Sequence, residues 1–168
     1  MDIKSCTLSD TDLIFDLYNK GTEHQKKVAK KYWKGFQRAL IDTEVSEKRI
    51  FKIIVDKEIA CVFSIDYNDP HIWGEKDNDP AMYIHRIATN PSFRGRFFVK
   101  RIVEWAKLHA EENQKEYIRM DTGSGNEKLN NYYISCGFDY LGVVELKNHD
   151  SLPEHYKDGA SSLFQIKL

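Results

Sequence analysis

The stretch Tyr83-Ile84-His85-Arg86-Ile87-Ala88-Thr89-Asn90-Pro91-Ser92-Phe93-Arg94-Gly95-Arg96-Phe97-Phe98-Val99-Lys100 reads as a β-strand, a turn bearing glycine and arginine, and the start of an amphipathic helix. The helix is marked by Val99, Ile102, Val103, Ala106 and Ala110, spaced at i, i+3, i+4, i+7 and i+11. The first N–H groups of such a helix lack intrahelical acceptors and lie at the positive end of its dipole, so a turn that presents them is suited to an anion. Arg94, Arg96 and Lys100 add positive charge at that end, which is unfavourable unless an anion offsets it.

Upstream, residues 2 to 8 predict a strand, and Ser9 and Asp10 offer N-caps for a helix carrying Leu13, Ile14 and Leu17 and ending near Gly21. Val28, Tyr32, Phe36 and Leu40 recur every fourth residue and predict a second helix from about Gln25 to Leu40. Ile50 to Val55 and Ile59 to Asp66 predict a hairpin around the polar Asp56-Lys57-Glu58. Tyr67 to Pro80 reads as an extended loop, with Ile72 and Trp73 as anchors.

Downstream of the helix come a strand from Tyr117 to Thr122, a polar Gly123-Ser124-Gly125 loop, and a helix from about Glu127 to Cys136 stopped by Gly137. Strands near Phe138 to Leu146 and Leu163 to Leu168 close the chain. The order β-αα-βββ-α-β-α-ββ is an α/β arrangement on a mixed sheet, and 168 residues suit one domain over 1–168.

Charge is balanced, with 25 Lys plus Arg against 26 Asp plus Glu, so no global field points to nucleic acid or to an anionic membrane. No apolar run has the length of a membrane span, and the N-terminus has no signal-peptide pattern. Cys6, Cys61 and Cys136 match no zinc or redox spacing, so no metal is expected and a reducing, cytoplasmic setting is the simplest reading.

Taken with Asn126-Glu-Lys-Leu-Asn-Asn-Tyr-Tyr-Ile-Ser-Cys-Gly-Phe138, the opening stretch resembles the GCN5-related N-acetyltransferase (GNAT) family. The resemblance implies that family's fold over nearly the whole chain: a mixed, mostly antiparallel sheet with helices on both faces. It also implies acetyl-CoA as cosubstrate. The family's turn follows Arg/Gln-x-x-Gly-x-Gly/Ala, and this chain has Arg94-Gly95-Arg96-Phe97-Phe98-Val99, with Phe97 and Val99 where small residues normally stand. Glycine there lets the backbone approach a phosphate without a Cβ in the way.

By the same resemblance, backbone groups of Ile87, Ala88 and Thr89 serve the pantetheine arm and the acetyl carbonyl, and the turn from Arg94 to Val99, with Lys100, takes the pyrophosphate. Tyr133, in Tyr-x-x-x-Gly-Phe, is implied as the acid that protonates the leaving thiolate, and Asn126 as a holder of the pantetheine arm or an ordinary N-cap.

For the base, strict alternation along the strand puts Tyr83, His85 and Ile87 on one face, making His85 the nearest titratable candidate beside water leading to bulk. The acceptor is expected to be a small-molecule or peptide amine. Asp66, Asp69, Glu75, Asp77 and Asp79 are available to attract it, and Tyr32, Trp33 and Phe36 fall where the family varies its acceptor pocket.

The competing reading is a CoA or acyl-CoA binding module with weak or lost catalysis, prompted by Phe97 and Val99. A nucleotide loop at Gly123-Ser124-Gly125 lacks the full spacing of any such motif. An exposed strand edge of this architecture is open to pairing with a second copy in a homodimer.

Overall fold

A computed structural model describes residues 2–29, 32–145 and 159–168. Among the described residues, seven strands, β1 (Asp2–Ser5), β2 (Ile50–Val55), β3 (Glu58–Asp66), β4 (Ala81–Thr89), β5 (Tyr117–Gly123), β6 (Asp139–Glu145) and β7 (Ala160–Lys167), follow the order β1-β2-β3-β4-β5-β7-β6. The chain divides into two compact units, Met1–Ile65 with His85–Phe98, and Asp66–Ile84 with Val99–Leu168.

The first unit holds β1 (Asp2–Ser5), α1 (Thr11–Val28), α2 (Arg38–Ser46), β2 (Ile50–Val55) and nearly all of β3 (Glu58–Asp66). β1–β2 and β2–β3 pair antiparallel. The β2–β3 turn places Asp56 and Lys57 at φ of +50° and +69°, the left-handed pair whose twist suits a two-residue hairpin. Ile14, Leu17, Tyr18, Ile41, Val45, Ile50, Val62 and Ala88 are packed into one core cluster.

Two helices depart from expectation. α1 does not stop near Gly21 but runs to Val28, because Gly21 is a packing glycine: a Cβ there would sit 3.0 Å from the Trp33 ring. The expected helix from Gln25 to Leu40 is absent as such. α1 ends at Val28, described residues 32–37 are not helical, and α2 begins at Arg38. The fourth-residue spacing misled because Trp33 and Phe36 reach the core from an irregular segment. Gln25 Oε1 accepts the Trp33 N–H at 2.9 Å, and Gly35 is left-handed at φ +99°.

The second unit holds α3 (Pro70–Trp73), α4 (Phe98–Glu112, from Val99 onward), β5 (Tyr117–Gly123), α5 (Glu127–Ser135), β6 (Asp139–Glu145) and β7 (Ala160–Lys167). β4 (Ala81–Thr89) contributes to both units. α4 buries Val99, Ile102, Val103, Ala106 and Ala110, the stripe that its periodicity predicts, and Phe98 besides. β5 pairs parallel with β4 from Ala81↔Tyr117 to Ile84↔Met120, and antiparallel with β7, which pairs antiparallel with β6. β7 starts three residues earlier than expected, and Leu146, the expected end of β6, lies outside the described residues.

The expected loop at 67–80 contains α3 and a 3-10 turn, Gly74–Asn78, and its anchors Ile72 and Trp73 are buried as anticipated. Asp69 before Pro70 is the helix-start signal for α3. The loop is tied down by Arg119 of β5, itself only 1% exposed. Its guanidinium lies 4.8 Å from the ring centroids of both Trp73 and Tyr117, and it donates to Asp79, to the Lys76 carbonyl, to Gln165 Oε1 and to the Tyr83 hydroxyl. Asp77 accepts the Asp69 N–H at 2.6 Å. Asp77 and Asp79 are therefore engaged in holding the loop together.

Candidate functional site

β4 carries a break in its pleat. Arg86 has φ +48°, a left-handed value in the middle of a strand, so the alternation expected to align His85 with Ile87 does not carry across it. This backbone costs a non-glycine residue about 1–2 kcal/mol, and Arg86 is held there by strong partners. Its Nη2 donates to Glu44 Oε1 and Oε2 at 2.7 and 2.6 Å and to Ser64 Oγ at 3.0 Å, and its guanidinium lies over the Phe36 and Tyr18 rings. Just before the break, the carbonyl of half-buried His85 accepts from Ser64 Oγ at 3.3 Å. Beyond it, Ala88 is buried in the core while Ile87 and Thr89 are half-buried.

The turn begins at Asn90, whose Oδ1 accepts the Ser92 N–H and whose own N–H donates to the Ala60 carbonyl at 2.9 Å. Gly95 stands at φ +81° and Phe97 at +55°, after which α4 starts at Phe98. Phe97 thus adopts the left-handed backbone that the family's glycine would take at no cost, and it is 60% exposed. Val99 is buried, so its side chain is turned into the protein. Arg94, Arg96 and Lys100 are exposed, and none forms a salt bridge among the described residues, whereas the next cation, Arg101, pairs with Glu104 at 2.9 Å. Arg96 lies over the Phe93 ring at 5.3 Å, and the field of Arg94, after burial, helps to hold His24 below its usual range.

In the second unit, Asn126 caps α5: its Oδ1 accepts the Leu129 N–H at 3.1 Å, which leaves the amide NH2 as the atom to offer a ligand. Of the tandem tyrosines, Tyr133 faces inward. Its ring meets Phe164 edge-on at 5.3 Å and Phe138 at 6.5 Å, while Tyr132 is half-buried. Cys136 is also buried, and burial raises its thiol above the usual range, opposite to what a nucleophilic thiolate needs.

The same unit holds a carboxyl pair that the sequence reading missed. Carboxylate oxygens of Asp69, at the start of α3, and Asp121, on β5, lie within 4.8 Å of each other. Withdrawal from water, and then the charge of Asp121, push Asp69 up to about 8. Burial pushes Asp121 up to about 6 against a hydrogen bond from Ser161. Two carboxyls so placed titrate as a pair, one holding its proton near neutral pH. The available signal was a carboxyl at Asp121 inside a strand whose Ile118 and Met120 are apolar.

A family model described as "Acetyltransferase (GNAT) family" matches residues 16–138. An uncharacterized N-acetyltransferase of Bacillus subtilis (strain 168), YesJ, is 23% identical over 142 residues, covering 80% of this chain and 79% of that protein. Among solved structures, a GNAT-family acetyltransferase from Listeria monocytogenes superposes with a TM-score of 0.77 at 22% identity, covering 99% of this chain and 94% of that one. YncA of Salmonella typhimurium, a putative acetyltransferase solved with its cofactor acetyl-CoA, gives 0.71 at 11% identity over 99% and 93%. With the family model spanning the end of β4, the turn before α4 and the Tyr133 to Phe138 segment, this chain belongs to the GNAT acetyltransferase family.

Proposed function

We propose that the chain is an acetyl-CoA-dependent N-acetyltransferase that moves the acetyl group directly onto a primary amine of a small molecule or peptide. The observation that carries this reading is the turn before α4. Left-handed Gly95 and Phe97 lead into the helix's first N–H groups, and Arg94, Arg96 and Lys100 stand beside them without an acidic partner among the described residues. A pyrophosphate offsets that charge.

In this reading, backbone groups of Ile87, Ala88 and Thr89, after the break at Arg86, serve the pantetheine arm and the acetyl carbonyl, and the Asn126 amide NH2 holds the arm. The neutral amine nitrogen attacks the thioester carbon, the C–S bond breaks as the tetrahedral oxyanion collapses, and the Tyr133 hydroxyl gives its proton to the sulfur. The ammonium proton leaves to His85 or through water to bulk.

Calorimetric titration with acetyl-CoA, followed by free-thiol detection across polyamines, amino acids and peptides, tests the proposal. Saturable binding and amine-dependent thiol release are expected. Binding without release for any amine supports the second reading, a CoA-binding module without catalysis. Phe97 in the left-handed backbone and Val99 turned into the protein support binding over a closed turn.

A further inference from the structure

Two polar atoms of the second unit are buried without a hydrogen-bond partner among the described residues, Asn130 Oδ1 on α5 and Ser162 Oγ on β7, and Ser162 is fully buried. Such atoms destabilise a fold unless a water or a ligand satisfies them. Asn130 lies three residues before Tyr133, on the same face of α5. Ser162 lies two residues before Phe164, on the same face of β7, and Phe164 is the ring that Tyr133 meets at 5.3 Å. The neighbouring Ser161 points to the opposite face, where it donates to Asp121. α5 and β7 start at the same end, since the Ser124 N–H, just ahead of α5, donates to the Ala160 carbonyl at 3.1 Å. One turn back from Tyr133 thus corresponds to one step back from Phe164. Helical side chains lean toward the helix N-terminus, so the Tyr133 ring leans over the Asn130 turn.

We propose that Asn130 and Ser162 are positioning residues that share one buried water with the Tyr133 hydroxyl and so tune it as the acid of acetyl transfer. The inference rests on the reading above, in which Tyr133 protonates the leaving thiolate. Asn130 Oδ1 can only accept, so it takes one hydrogen of the water, the Ser162 hydroxyl donates to the water oxygen, and the second water hydrogen goes to the phenol oxygen. Three partners suit a buried water, and the phenol keeps its own hydrogen for the sulfur. In the transfer the Tyr133 O–H bond breaks, an S–H bond forms on the thiolate, and the electron pair left on the phenolate oxygen is met by the hydrogen bond from the water. A phenol with a reference pKa of about 10 protonates a thiolate of about 8.5 only uphill, and a hydrogen bond to the charged form of the acid reduces that difference. The titratable side chains around Tyr133 are Tyr132 and Cys136 of α5 and its cap, Tyr140 of β6 across the shared Phe164 ring, and Lys100 of α4, whose charge acts on Cys136.

The test is the pH profile of kcat for thiol release by the full chain and by Ser162→Ala, Ser162→Thr, Asn130→Ala and Tyr133→Phe, with acetyl-CoA binding followed by calorimetry. Activity falls as pH rises through the pKa of the acid, which works only while protonated. Ser162→Ala and Asn130→Ala are each expected to move this alkaline limb up by about one pH unit and to lower kcat at neutral pH about tenfold, with acetyl-CoA affinity unchanged. Ser162→Thr keeps the hydroxyl and is expected to restore both. In a Tyr133→Phe background, Ser162→Ala is expected to cost nothing further. An unmoved limb in Ser162→Ala and Asn130→Ala, or the same loss with and without the Tyr133 hydroxyl, overturns the shared water while leaving the acid role standing. If kcat and the limb survive Tyr133→Phe, or the wild-type chain releases thiol with no amine, the acid reading itself falls, and the shared water with it.

Discussion

Arg86 reaches both carboxylate oxygens of Glu44, at 2.7 and 2.6 Å, from a left-handed backbone in the middle of β4. The pair is 13% and 6% exposed and is the main polar restraint on the break that precedes Ile87, Ala88 and Thr89. Replacing Glu44 by Gln leaves a half-buried guanidinium facing a buried site without its counter-charge. Stability is expected to fall by about 3–5 kcal/mol, measured by urea unfolding, and acetyl transfer should fall further than acetyl-CoA binding because the strand end loses its set position.

Tyr133→Phe removes a hydroxyl and keeps the ring that packs on Phe164 and Phe138. Thermal stability should stay within about 1 kcal/mol of wild type, and kcat should drop about 100-fold or more with KM for acetyl-CoA little changed. Steady-state thiol release checks this, and unchanged kcat would remove Tyr133 from the acid role.

Arg94→Ala and Lys100→Ala each take one cation from the turn before α4 without disturbing a salt bridge among the described residues. Each should weaken acetyl-CoA about five- to tenfold at low salt, with the difference narrowing as ionic strength rises. Calorimetry at two salt concentrations separates this from a folding defect, which salt would not mask.

Asp69, pushed up to about 8, keeps a proton in the folded chain that the unfolded chain gives up near pH 4. Stability therefore falls as pH rises from about 4 to 8 and is lowest above that window, with Asp121 adding the same trend up to about 6. Asp69→Asn should flatten this dependence and raise the unfolding midpoint at pH 8 relative to wild type, with little difference at pH 4. Urea titrations at the two pH values provide the comparison.

Gly21→Val tests why α1 passes through a glycine. Valine is the better helix former, yet its Cβ would meet the Trp33 ring at 3.0 Å and displace it from Tyr18 and Phe36. The expected outcome is a loss of about 1–3 kcal/mol and a red shift in tryptophan emission as Trp33 moves toward water.

Local pattern determined most of the element order. α4 follows from the spacing of Val99, Ile102, Val103, Ala106 and Ala110, α5 from the Asn126 cap and Gly137, and the β2–β3 hairpin from Asp56-Lys57-Glu58, because each is written in neighbouring residues. The GNAT turn and the Tyr133 segment were legible for the same reason. Tertiary structure decided what neighbours cannot encode. Trp33 lying on Gly21 turned a stop signal into a packing site, and Glu44 and Ser64 held Arg86 in a conformation its own propensity disfavours. Asp69 and Asp121, far apart in sequence, acquired their perturbed titration only when folding took them from water and placed them together. The left-handed backbone of Phe97 and the burial of Val99 were likewise settled by packing rather than by residue type.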